Sequence, residues 1–491
     1  MFTRGLGREL GGKFLCLKRF KMTQKYHFIH ERGDYPPLAV ENVARNWSGH
    51  IKKTVGSGEA PLFFLYQKGQ CLIYSYESKH QEIINYVFNK ISKNKAYITK
   101  VKDIFDQRSR VIEKFIKELE TSHFRSLSNQ ELIEIKNKYN NLYDQILPYG
   151  EPLPHFLKEK LHSVLKEYFI DQKKITEAEF ELLITPNYQS FLSKENHELF
   201  KIFKKFSRFP DYLNNQLKRH YQKYKWILFD YSSIIVNLKY FQKRAGVFGK
   251  TPPEIADYAK LKRQKSRIIK KYKVDLKFQY YLDILDKLYY LMDKKKEILT
   301  HFHFAITPLY KEVGRRLGLS LEEVRWFLWS ELKDVLENKP ALTGKIAASR
   351  EKFSVIKFYE GQADFLDFGK SQKIVKDIRA DQQALVNKLK GTPASAGKVR
   401  GTVCYLKSAK ENNKIKKGQI LVVSNTTPDF MPALKKAAAI VTNEGGLTCH
   451  AAIVSRELKI PSIVGTKIAT QVFKDGDLVE VDANLGIIKK I

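Results

Sequence analysis

Thr442-Asn443-Glu444-Gly445-Gly446-Leu447-Thr448-Cys449-His450-Ala451-Ala452-Ile453-Val454-Ser455-Arg456-Glu457-Leu458 decides the fold of the C-terminal end of this chain. The apolar run Ala437 to Val441 just before it reads as a short buried strand. Gly445 and Gly446 then permit backbone angles that a side chain would forbid. Beyond them Ala451, Ala452, Val454 and Leu458 recur at helical spacing, and Lys459 stands in the last turn before Pro461. Thr448 is the expected N-cap. The first turn of a helix has unpaired N–H groups and a partial positive charge, so a dianion is welcome there. An imidazole at that spot can attack a phosphoryl group if its ring is neutral, which an ordinary histidine pKa of ~6.5 allows. Thr448 is placed to donate its hydroxyl to a phosphoryl oxygen. His450 is the only one of the 12 histidines after His303, so it has no competitor in its own region.

The pattern is Gly-Gly, one residue, Thr448, Cys449, His450, Ala-Ala-Ile-Val, one residue, Arg-Glu-Leu, one residue, then Ile460, Pro461 and Gly465. It resembles the phosphohistidine swivelling domain of the PEP-utilising enzymes: phosphoenolpyruvate synthase, pyruvate phosphate dikinase and rifampicin phosphotransferase. The flanks Gly391-Thr392-Pro393-Ala394-Ser395-Ala396-Gly397 and Thr426-Thr427-Pro428-Asp429 are similar too. The resemblance covers about the last hundred residues. It implies a swivelling β/β/α domain in which His450 is the phosphorylated catalytic residue. Gly445, Gly446, Thr448 and Cys449 are then the phosphoryl-binding positions. A cysteine-hydrolase reading of Cys449-His450 is disfavoured, because helix neighbours point about 100° apart and cannot readily share a proton. Arg456, six residues on, falls on another helical face; it reads first as an ion-pairing residue and only second as support for phosphate.

Composition sets bounds. The chain of 491 residues is long enough for two to four domains. Cys16, Cys71, Cys404 and Cys449 are scattered without CxxC spacing, which suggests reduced thiols. No stretch approaches the ~18 apolar residues of a membrane span, and a cytoplasmic protein is expected. Of the net charge of +34, residues 391–491 hold 15 Lys/Arg and 8 Asp/Glu, or +7, leaving +27 for residues 1–390. A basic face for nucleic acid would explain this excess, but no nucleic-acid motif accompanies it and the cations are spread out. Lysines solvated on helix surfaces are the favoured explanation.

The fold class expected is multidomain α+β, a mainly helical N-terminal body followed by the C-terminal phosphohistidine domain. Residues 1–21 read as a basic extension, and Gly7 to Phe14 imitates a phosphate loop without its Ser/Thr. Residues 22–98 read as a small α+β region, with a hairpin over Pro61 to Tyr76 and a helix over His80 to Ile91. Residues 99–345 read as a helical, acceptor-binding domain. Residues 346–390 read as a β element and charged linker, with Gly391 as a hinge-like exit. Four residues of the helical domain are acceptor-side candidates: His220 and Trp226, in a stretch mixing cations and aromatics, and Trp326 and Glu331, on a helix opened by a Ser320/Glu323 capping box. His301 and His303 would project two ligands from a strand, but no third stands at usable spacing, so no metal site is expected.

The resemblance also implies what else is needed. Its members carry an ATP-grasp domain that phosphorylates the histidine with ATP and Mg²⁺, and some add a barrel for PEP. With about forty residues after His450, no barrel is expected, and the first 390 residues show no nucleotide-binding pattern. The chain itself shows no evident cofactor; Mg²⁺ and ATP (or PEP) are expected at the donor site. The function expected is a phosphotransferase component that carries a phosphoryl group on His450. It would travel from a separate ATP-grasp partner, or from PEP, to a small-molecule acceptor on the helical domain. The alternatives are a non-catalytic basic scaffold and a nucleic-acid-binding protein with a relic histidine domain.

Overall fold

A computed structural model describes residues 26–33, 35–52, 61–67, 70–229, 235–248, 257–337, 342–383, 388–446 and 449–491. The expected extension 1–21 and Thr448 lie outside the described residues.

The N-terminal body is built on five antiparallel strands: β1 (Tyr26–Gly33), β2 (Leu62–Gln67), β3 (Gln70–Tyr76), β4 (Phe353–Tyr359) and β5 (Gln362–Phe365), in the order β1-β3-β2-β4-β5. Leu62-Phe63-Phe64-Leu65-Tyr66 is apolar without alternation because both faces of β2 are covered. Phe64 and Tyr66 face the helical core, while Phe63 and Leu65 meet Val375 and Ile378 of the helix Phe368–Gln383. The hairpin β4–β5 is therefore not a piece of linker. Leu62 pairs with Phe358 and Gln67 with Phe353, so the segment read as a separate element completes the N-terminal sheet.

The helices surround one long axis, Leu276–Leu317, which packs on Tyr97–Thr121, Asn129–Gly150 and Pro152–Lys166. Leu299, Phe302, Ala305, Ile306, Leu309 and Val313 form its buried stripe. That period overrides the two-residue alternation of His301-Phe302-His303, so the expected strand there is a helix. Gly318, in the left-handed region at φ 69°, ends it. The Ser320/Glu323 capping box forms as expected, but its helix stops at Val324. The chain restarts as Trp329–Leu336, where the Glu41 carboxylate accepts from the Trp329 amide at 2.7 Å and Glu331 accepts from the Leu328 amide at 2.9 Å.

The C-terminal domain is an eight-stranded sheet. Its strands are β6 (Lys388–Lys390), β7 (Thr392–Ser395), β8 (Lys398–Tyr405), β9 (Ile420–Val423), β10 (Ala439–Thr442), β11 (Ser462–Val464), β12 (Leu478–Asp482) and β13 (Ile487–Lys490). The order is β6-β13-β12-β8-β9-β10-β11-β7, with β8, β9, β10 and β11 parallel to one another. Ala439 to Val441 is fully buried because separate apolar clusters cover the two faces. Gly391 is no hinge. A Cβ there would lie 2.7 Å from both Ile463 Cγ2 and the Val464 carbonyl, so close packing explains the glycine. Among the described residues no helix is long and apolar enough to cross a membrane.

The ring centroids of Phe64 and Phe358 lie 5.1 Å apart across the β2–β4 pairing. Phe358→Ala is expected to cost about 3–5 kcal/mol in chemical unfolding. A hairpin that merely belonged to a linker would show almost no loss.

Candidate phosphoryl-carrier site

The site lies where β10 ends and the helix His450–Glu457 begins, at the carboxyl end of the parallel strands, where open α/β sheets leave a crevice. Its loop is held from below. Thr466 donates its amide (3.0 Å) and hydroxyl (2.8 Å) to the Thr442 carbonyl, and the Lys467 amide donates to the Asn443 carbonyl at 2.8 Å. The Glu444 amide donates to the Ser424 carbonyl at 2.9 Å. The two glycines differ. Gly445 sits at φ 111° with its would-be Cβ only 2.6 Å from Cys449 Sγ, whereas Gly446 has open space around it. Only Gly445 needs to lack a side chain.

Cys449, not Thr448, is the N-cap: its Sγ accepts from the Ala452 amide at 3.5 Å. The cap belongs to the residue with extended backbone next to the first helical residue, and that is Cys449 at φ −73°, ψ 162°. His450 is thus the first residue of the helix. Its own amide and that of Ala451 find no acceptor among the described residues. The ring is half-buried, with Nδ1 2.9 Å from Thr426 Oγ1. Nε2 has no partner among the described residues. Partial burial pulls the imidazole pKa below its ordinary 6.5, opposed by the nearby Glu457 carboxylate. Thr426 was legible only as part of a family-like loop; its contact with His450 crosses two crossover connections, which no local pattern reveals.

The remaining site residues are scattered. Arg456 reaches the Ala394 carbonyl at 3.5 Å, and its charge lowers the pKa of Glu181, which burial raises. His220 is buried, with Nε2 2.8 Å from Glu195, whose carboxylate also takes Arg244 at 2.9 and 2.8 Å. Trp226 donates to the Lys223 carbonyl at 2.9 Å and stacks on His301. Trp326 packs edge-on against Tyr66, and Glu331 is clamped by Arg350 at 2.8 and 2.6 Å. Trp226 belongs to one apolar cluster and Trp326 packs against another.

No local pattern marks what the C-terminal domain rests on. Glu31 of β1 is buried, and its carboxylate accepts from Tyr405 (2.7 Å), Asn443 (3.3 Å) and Thr470 (2.5 Å) of the C-terminal domain. Gln70, beside it on β3, donates a fourth bond at 2.8 Å. Burial and the Glu31 charge together push the Tyr405 phenol pKa far up, so it stays a donor. Between this seat and the helical body lies a cavity of about 600 Å³, with Gly445, Gly465 and Lys467 on one side and Trp47, Phe64 and Lys295 on the other.

Residues 415–486 match the family of PEP-utilising enzymes through its mobile domain. A probable phosphoenolpyruvate synthase of Archaeoglobus fulgidus is 59% identical over 100 residues, 20% of this chain and 13% of that protein. The phosphoenolpyruvate synthase of Pyrococcus furiosus is 55% identical over 102 residues, 21% of this chain and 12% of that one. An uncharacterized phosphotransferase of Bacillus subtilis is 31% identical over 204 residues, 40% of this chain and 24% of that protein. The match thus spans about an eighth of the synthases' length.

The glycine geometry is directly testable. Gly445→Ala is expected to destabilise the C-terminal domain by about 1–3 kcal/mol, from positive φ and the clash with Cys449. Gly446→Ala is expected to stay within about 0.5 kcal/mol of the wild type. Equal losses in thermal unfolding would contradict this account of the loop.

Proposed function

We propose, from the PEP-utilising mobile domain at residues 415–486, that this chain is a phosphotransferase component carrying a phosphoryl group on His450 Nε2. The observation that carries the reading is the ring itself. It is seated at a helix N-terminus, bonded through Nδ1 to Thr426, unpartnered at Nε2 among the described residues, and biased toward its neutral form. In this reading Nδ1–H donates to Thr426 Oγ1, the tautomer that leaves the Nε2 lone pair for attack. That lone pair attacks phosphorus in line; the N–P bond forms as the bond to the donor's leaving oxygen breaks. The free amides and the positive helix end offset the added charge.

Donor and acceptor follow from the same reading. The phosphoryl group comes from ATP and Mg²⁺ on a separate ATP-grasp partner, or from PEP, and passes to a small molecule on the helical body. The 204-residue match to an uncharacterized phosphotransferase is about twice the length of the C-terminal domain, so the likeness extends beyond that domain. To meet a donor, the domain leaves its Glu31 seat; splitting one transfer between two stations requires that motion.

Incubation with labelled PEP, or with labelled ATP and the partner, is expected to give acid-labile, base-stable label in the wild type and none in His450→Ala. Label persisting in that variant overturns the proposal. An ordinary imidazole is half protonated at pH 6.5, whereas His450, with its pKa lowered, is still mostly neutral there. The half-maximal point of labelling is therefore expected below pH 6.5. A half-maximal point above 6.5 would contradict the assigned ring state. Thr426→Val is expected to slow labelling by about tenfold or more.

A further inference from the structure

The cavity between the helical body and the His450 loop has no part in the chemistry described so far. Its volume of about 600 Å³ is in the range of small-molecule sites. Four lysines line it, Lys158, Lys295, Lys296 and Lys467, against two carboxylates, Glu151 and Glu444. Glu151 is engaged by Lys295 at 2.7 Å, and Glu444 accepts from Ser424 at 3.2 Å. Lys158 and Lys467 form no ion pair with a described carboxylate, so the cavity has a surplus of positive charge. Phe28, Phe64 and Met292 are among the apolar residues of its wall, which also includes His155, Thr300, His303, Thr392 and Asn443. Trp47 also lines it, and its buried indole N–H has no hydrogen-bond partner among the described residues. A buried donor without an acceptor costs free energy unless something fills the role.

We propose that this cavity binds a small organic anion with an aromatic or otherwise apolar body. The apolar body lies against Trp47 and Phe64, and the acidic group sits between Lys158 and Lys467. Lys467 belongs to the C-terminal domain and Lys158 to the helix Pro152–Lys166, so a bound anion bridges the two parts of the chain. The ligand's place as phosphoryl acceptor rests on the phosphohistidine reading above; its binding does not. Gly445, five residues before His450, lines the same cavity, which puts the bound molecule beside the carrier loop.

Calorimetric titration with naphthalene-2-carboxylate and with its neutral relative naphthalene-2-carboxamide tests the proposal on the full chain. The carboxylate is expected to bind at one saturable site, with the amide weaker by about tenfold or more. Lys158→Gln with Lys467→Gln is expected to weaken the carboxylate by a similar factor. A charge-matched control pair at exposed positions, Lys218→Gln with Lys262→Gln, is expected to leave binding unchanged. Absence of saturable binding, equal affinity for the amide, or equal weakening in the control overturns the site. His450→Ala is expected to bind the carboxylate as the wild type does. The two readings therefore fail separately: label without binding removes the site, and binding without label removes the carrier.

Discussion

The buried Glu31 carboxylate holds the two parts of the molecule in one arrangement. An ionised carboxylate taken out of water costs several kcal/mol unless every lone pair finds a donor. Here Tyr405, Asn443, Thr470 and Gln70 supply those donors, three of them from a domain nearly four hundred residues further along the chain. None of the four is a cation. Were the C-terminal domain to lift away, as the proposed transfer requires, the hydroxyls and amides would return to water and no unpaired charge would be stranded on it. The carboxylate would be rehydrated at the same moment. A neutral set of partners is compatible with the docking and undocking that the proposed carrier role requires.

The same contact ties the seat to the carrier loop. Asn443 bonds Glu31 and also exchanges hydrogen bonds with Thr470, while its own carbonyl takes the Lys467 amide. Two residues later Gly445 makes the turn that His450 depends on. The Glu31 contact and the shape of the candidate site at His450 therefore share one short stretch of backbone.

The strand–turn–helix around His450 was readable in the sequence because everything it needs is local: a buried strand, a glycine at positive φ, and an apolar stripe behind one histidine. What was misread needed distant partners. Thr448 looks the better cap by residue type, but chain geometry gives that role to Cys449. His301 and His303 alternate like strand residues, while their neighbours over forty positions obey a helical period. Gly391 resembles a hinge until Ile463 and Val464 are seen against it. The contacts of Glu331 with Arg350 and of His220 with Glu195 likewise join positions that no local pattern links. Glu31 had no signal at all, since a lone carboxylate in a short strand looks like any solvated one.

The pairing of β2 with β4 bears on how the chain is made. Residues 62–67 leave the ribosome roughly 290 positions ahead of the strand that covers their open side. At about 5–20 residues per second, that edge waits tens of seconds with its amides unsatisfied. Five large apolar side chains in a row are a poor thing to leave uncovered for so long. The helices that emerge in between can shelter one face of the sheet, but not its rim. Nascent-chain holdases, and a slow final phase in refolding, would be natural companions of a protein whose first sheet is finished by almost its last quarter.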